Sequence, residues 1–136
     1  MSEARFMLDT NTIILVRQGQ AAVVSRFGGL DRGEAVMSAV SFGELRFGAE
    51  KSRDRLASLT RLGQLATEIV VLDLSAQAAA DYGLVRADLE RRGQLIGPND
   101  LWIAAHARSA GLTLVTNNER EFRRVPGLAV ENWATA

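Results

Sequence analysis

The chain has 136 residues, 47% hydrophobic and 24% charged, with sixteen basic against sixteen acidic side chains. This is the balance of a soluble globular protein, and a neutral total leaves open a basic rim around an acidic pocket. The lack of cysteine and the single histidine, His106, exclude disulfides, thiolate zinc sites, cysteine nucleophiles and any site needing two imidazoles of this chain.

No apolar run approaches the roughly 20 residues that span a bilayer. Glu3 and Asp9 interrupt any signal-peptide pattern. A single cytoplasmic domain over residues 1–136 is therefore expected.

In chain order, "RFML" reads as a short buried strand ending at Asp9, and "TIILV" is ambiguous between strand and buried helix. Gly28 and Gly29 close the next segment, and "AVMSAV" (35–40) predicts a second strand. Leu45, Leu56, Leu59, Leu62 and Leu65 predict two successive helices. "IVVLDL" (69–74) predicts a third strand. The helix after it has Ser75 as N-cap and Gly93 as terminator. "LIGPND" is a loop, "LWIAAHARSAG" a helix closed by Gly111, and "LTLVT" a fourth strand. A short helical turn in "NNEREF" and a last strand in "GLAVENW" complete the chain. Alternating strands and helices imply an α/β fold, a parallel sheet with helices on both faces.

In "FMLDTNTIIL" a carboxylate interrupts the most hydrophobic stretch of the chain. An isolated buried carboxylate is costly unless it is paired. Ligand sites of open parallel sheets form beyond the carboxyl ends of the strands. Asp9 ends the first strand, Glu44 is expected in the first turn of the helix after the second, Asp100 starts the "LWIAAHA" helix, and Glu121 follows "LVT". Two carboxylates about 4 Å apart repel by roughly 4 kcal/mol at an effective dielectric of about 20. A cluster of them either protonates or binds a cation, and oxygen-only ligands favour Mg²⁺ or Mn²⁺. Helix N-termini behind Glu44 and Asp100 are expected to help keep both ionised.

Each acid also has a structural reading. "SFGE" (41–44) and "NERE" (118–121) both fit capping boxes, and Asp100 suits a helix dipole. Asp73 ends a strand as Asp9 does, and spacing alone does not exclude it.

The stretches "FMLDTNTIIL", "SAVSFGELRFGAEKS", "IGPNDLWIAAHARSAGLTLVTNNEREFRRVPGL" and "VENW" together resemble a PIN-domain ribonuclease, and more narrowly the VapC toxins of VapBC toxin–antitoxin pairs. The resemblance implies a three-layer α/β/α sandwich with a mainly parallel sheet. It implies a Mg²⁺- or Mn²⁺-dependent endoribonuclease whose acids match Asp9, Glu44, Asp100 and, with Glu in place of a frequent Asp, Glu121. Asp9, Asp100 and Glu44 would hold the metal, and Glu121 would contribute from outside. Asp73 matches no family acid. Thr10, Asn11, Thr116 and Asn118 fall beside the acids, as outer hydrogen-bond donors or as turn residues.

The resemblance further implies an RNA substrate, initiator tRNA being one candidate, a VapB-like antitoxin that covers the site, and a homodimer that pairs again in the antitoxin complex. His106 and the two tryptophans read as structural, "KSRDRLASLTR" as a solvated face or an antitoxin groove, and Arg123 and Arg124 as phosphate contacts. The rival readings are a non-catalytic PIN module that binds RNA or protein, and a nuclease acting on DNA.

Overall fold

The computed structural model describes residues 3–135. Five short strands, β1 (Phe6–Leu8), β2 (Ala35–Ser38), β3 (Val70–Leu72), β4 (Thr113–Val115) and β5 (Val130–Glu131), form one sheet in the order β3-β2-β1-β4-β5. Every pairing is parallel. The helices are α1 (Thr10–Gln18), α2 (Ala21–Gly28), α3 (Ala39–Glu50), α4 (Arg55–Glu68), α5 (Ala76–Arg91), α6 (Pro98–Ser109) and α7 (Glu119–Phe122).

Strand alternation divides the core in two. Phe6, Leu8, Ala35, Met37 and Val115 pack with Ile13, Val23, Leu45, Leu62 and Leu65 of α1 to α4. Met7, Val36 and Leu114 face the other way, against Val85 and Leu89 of α5 and Leu101, Ile103 and Ala104 of α6. The result is the expected three-layer α/β/α sandwich, with a central sheet that is apolar on both faces.

Several boundaries differ from the sequence reading. "TIILV", open between strand and helix, lies in α1, because Asp9 caps that helix, its Oδ1 accepting the Thr12 amide at 2.8 Å. The second strand stops at Ser38 rather than Val40. The Ser38 hydroxyl accepts the Val40 amide at 3.1 Å and starts α3 at Ala39. Of "GLAVENW", the strand is only Val130 and Glu131, with the Ala129 carbonyl accepting the Leu114 amide at 2.8 Å. Caps set by local chemistry came out as expected. Ser75 accepts from the Ala78 amide at 3.1 Å, and Gly93 and Gly111 take left-handed φ of 64° and 68° after α5 and α6.

Strand order reverses between β1, which leads leftward to β2, and β4 on its other side. Crevices at such a reversal, beyond the strand carboxyl ends, are where open α/β sheets bind ligands. Among the described residues no helix is long and apolar enough to cross a membrane.

Candidate active site

Asp9 leaves β1 at this crevice and is only 3% exposed. Its amide donates to Val115 O at 3.0 Å, which fixes it against the end of β4. Burial pushes its carboxyl above the ordinary range. Hydrogen bonds from the Thr116 hydroxyl and Thr12 amide pull the other way, and the Glu44 charge adds to the rise. Thr116 also receives the Asn118 amide at 2.9 Å, so one hydroxyl joins Asp9 to the turn before α7.

Glu44 projects from α3 and accepts the Thr10 hydroxyl on Oε1 at 2.7 Å. Ser41 Oγ lies 3.1 Å from that same hydroxyl. Glu44 lines a groove of about 740 Å³ with Thr10, Asn11, Arg17, Ser52 and Arg61. It also lines a second of about 570 Å³ with Val40, Gly43, Phe47 and Asn99.

Asp100 stands in the first turn of α6, behind Pro98. Its pKa is raised to about 6, by burial first and then by the charges of Glu121, Asp9 and Glu44. Four carboxylates from four separate stretches therefore share one electrostatic basin. Glu121 reaches across from α7. Its Oε1 accepts the Gly97 amide at 3.0 Å, and its Oε2 accepts from the Asn118 side-chain amide. A Cβ placed on Gly97 would stand 3.8 Å from Asp100 Oδ2 and 4.0 Å from Glu121 Oε1, which brings both oxygens close to that residue.

Among the described residues no arginine or lysine pairs with any of the four. The ion pairs of this chain lie elsewhere, as in Arg5–Glu34, Arg46–Glu50 and Arg123–Glu119. Nor do three of the acids converge within ligating reach of a single point. Asp9, Glu44 and Glu121 are each anchored by their own hydrogen bonds, to Thr12, Thr10 and Gly97. Mg²⁺ commonly takes one or two carboxylates and fills its octahedron with waters and phosphate oxygens, so this donor set fits it.

A PIN-domain family model matches residues 6–128. Over 130 residues, 96% of this chain and 98% of the relative, the chain is 45% identical to the tRNA(fMet)-specific endonuclease VapC of Shigella flexneri. The chain belongs to the VapC family of PIN-domain proteins. It is also 41% identical over 130 residues to Ribonuclease VapC2 of Haemophilus influenzae, with 95% and 98% of the two chains covered. DNA-bound VapBC from Salmonella typhimurium matches with a TM-score of 0.90 at 41% identity, over 96% of this chain and 98% of that one.

Within this VapC-family fold, several readings of single residues need correction. Glu44 lies in the second turn of α3, because the helix starts earlier than expected, so the helix N-terminus does not support it. "SFGE" is no capping box, since Ser38 is the N-cap and Ser41 is buried within the helix. Asn118 occupies the N-cap position of α7 without a side-chain cap bond, and it holds Glu121 instead. Asn11 is exposed at the groove mouth. Asp73 is exposed and is not among the charges that shift Asp100.

Arg123 pairs with Glu119 at 2.8 Å, and Arg124 donates to Leu95 O at 3.1 Å, so both are engaged within the chain. Lys51, Arg53, Arg55 and Arg61 are exposed, and Arg61 lines the larger groove with Ser52 and Ser58. Both tryptophans pack. Trp102 stacks on Tyr82 at 3.8 Å, and Trp133 meets Phe6 edge-on at 5.2 Å.

Three contributors escaped the sequence reading. Thr12 sits three residues after Asp9, a spacing that a capping rule finds. Ser38 sat inside an expected strand. Gly97 offers only a backbone amide, for which no sequence signal exists.

Proposed function

We propose that this chain, as one PIN-like domain, is a divalent-metal-dependent endoribonuclease. It is the toxin of a type II toxin–antitoxin pair, cytoplasmic and restrained by a VapB-like antitoxin. The observation that carries the chemistry is Asp100, raised to about 6 by burial and by Glu121, Asp9 and Glu44, with none of the four in an ion pair among the described residues. The RNA substrate and the antitoxin follow from family membership. Initiator tRNA is the first substrate to test, because the Shigella flexneri relative is named for it.

Asp9 and Asp100 would hold a Mg²⁺ or Mn²⁺ ion, both being partly desolvated and lying beside the sheet crevice. Such an ion, if bound there, would supply Lewis-acid chemistry toward a phosphodiester and its attacking water. Glu44, held by Thr10, would orient that water, and the two grooves it lines would take an RNA strand. Glu121 acts from the rim by fixing the N-terminus of α6 through Gly97. The active unit is a homodimer, which pairs again when the antitoxin binds.

The test is sequencing of RNA ends after incubation of total RNA and a DNA control with purified protein and Mg²⁺, alongside Asp100→Asn. Discrete RNA ends that vanish with EDTA and with the variant support the reading. Uncut RNA at every divalent concentration, or equal cutting of DNA, overturns it.

A further inference from the structure

His106 is the chain's one histidine and is only 3% exposed, six residues along α6 from Asp100. Its Nδ1 lies 2.8 Å from Ser38 Oγ, and the ring also hydrogen-bonds the Asp73 backbone carbonyl. Ser38 is fully buried, pairs with Leu72 across β2 and β3, and caps α3 through the Val40 amide. The imidazole therefore joins three chain segments: the helix bearing Asp100, the start of the helix bearing Glu44, and the end of β3.

Proton counting assigns its state. The Asp73 carbonyl only accepts, so the ring nitrogen facing it, Nε2, carries hydrogen. The Ser38 oxygen accepts from Val40, and its single proton is left for Nδ1. Both ring nitrogens and the Ser38 hydroxyl are satisfied when the ring is neutral with hydrogen on Nε2. Burial favours the same state, holding His106 below the ordinary imidazole value against the hydrogen bond to Asp73.

We propose that His106 is a positioning residue for the nuclease reaction: through Ser38 it sets where Glu44 stands relative to Asp100. The proposal rests on the metal-dependent reading above. Neither ring nitrogen faces the basin, so His106 acts through the helices and touches no reacting atom.

The lone histidine makes the test direct. In tag-free protein labelled with ¹⁵N-histidine, two-bond proton–nitrogen spectra should show one neutral ring with hydrogen on Nε2. His106→Leu keeps volume and removes both bonds. It should lower kcat about 10- to 100-fold, weaken Mn²⁺ binding to the metal-free protein in calorimetry, and leave KM for RNA within about twofold. His106→Gln, which can donate and accept, should recover most of both losses. Val23→Ala, in α2 of the opposite layer, controls for general destabilisation and should change neither kcat nor Mn²⁺ affinity.

A His106→Leu protein with wild-type kcat and Mn²⁺ affinity overturns the proposal, as does an equal loss in Val23→Ala or hydrogen on Nδ1. If His106→Leu does not fold, Ser38→Ala is judged by the same criteria, with Ser38→Thr as the rescue. Failure of the nuclease reading is visible separately, as a wild-type protein that binds Mn²⁺ but cuts no RNA.

Discussion

The Thr10 hydroxyl donates to Glu44 Oε1 at 2.7 Å, tying the first residue of α1 to the second turn of α3. This contact holds a flexible glutamate in one rotamer at the mouth of the crevice. Thr10→Val keeps the branched shape and removes the donor. The expected result is a fall in kcat of about tenfold, with KM for RNA little changed, and Thr10→Ser close to wild type. Single-turnover cleavage measures it. Wild-type kcat in the valine variant removes Thr10 from the machinery.

Metal dependence should follow the protonation of Asp100. Its value of about 6 in the metal-free protein means that cation and proton compete from there downward. Apparent Mg²⁺ affinity should be nearly flat between pH 7 and 8, then fall by about tenfold per pH unit for each proton displaced. Calorimetry across pH 5 to 8 reads this, and Asp100→Asn should reduce the slope to what Asp9 contributes. A pH-independent affinity contradicts the assignment.

The same residue should trade stability for function. Asp100 has a folded pKa of about 6 against an ordinary 3.8, so the folded state holds its proton more tightly than the unfolded chain. Stability is therefore lost as pH rises between those two values, and the metal-free fold carries that loss at pH 8. In EDTA at pH 8, Asp100→Asn should melt above wild type. With saturating Mg²⁺ the wild type should gain and the variant should not. Thermal melting in both buffers checks the reversal.

Glu121 should behave differently from Asp9. Its oxygens are occupied by Gly97 and Asn118, so an amide can keep the Gly97 contact. Glu121→Gln should cost less than about tenfold in kcat, and Glu121→Ala more, because the helix α6 start then loses its anchor. Asp9→Asn should leave a folded protein with no measurable cleavage. A Glu121→Gln variant as dead as Asp9→Asn would make Glu121 a direct metal ligand.

Trp133 anchors the end of the chain. It is buried against Phe6 of β1, lies under the Arg26 guanidinium at 5.1 Å, and donates Nε1 to Glu131 Oε1 at 3.1 Å. Trp133→Ala should cost about 3–5 kcal/mol of stability. Urea unfolding measures it, and a loss below about 1 kcal/mol would mean that the far edge collapses around the gap.

Much of this molecule is legible from residue order, because the relevant physics is local. Apolar runs mark the strands, Ser75 caps its helix with its own hydroxyl, and Gly93 and Gly111 supply the left-handed residues that end α5 and α6. Boundaries failed where a side chain had two possible jobs. Ser38 reads as strand until its hydroxyl is seen to cap α3, and that shift moved Glu44 from the first helical turn to the second. Asp9 signals its charge in the sequence, yet it also caps α1 through the Thr12 amide.

The four acids, their oxygen-only chemistry and the α/β class are thus properties of the chain as written. Their meeting is not, since Asp9, Glu44, Asp100 and Glu121 lie on segments that no local rule relates. The parallel order β3-β2-β1-β4-β5 brings those segments to one edge. Coulomb energy depends on distance through space, so the raised Asp100 and the separate anchors from Thr10, Thr116 and Gly97 exist only once the sheet has assembled.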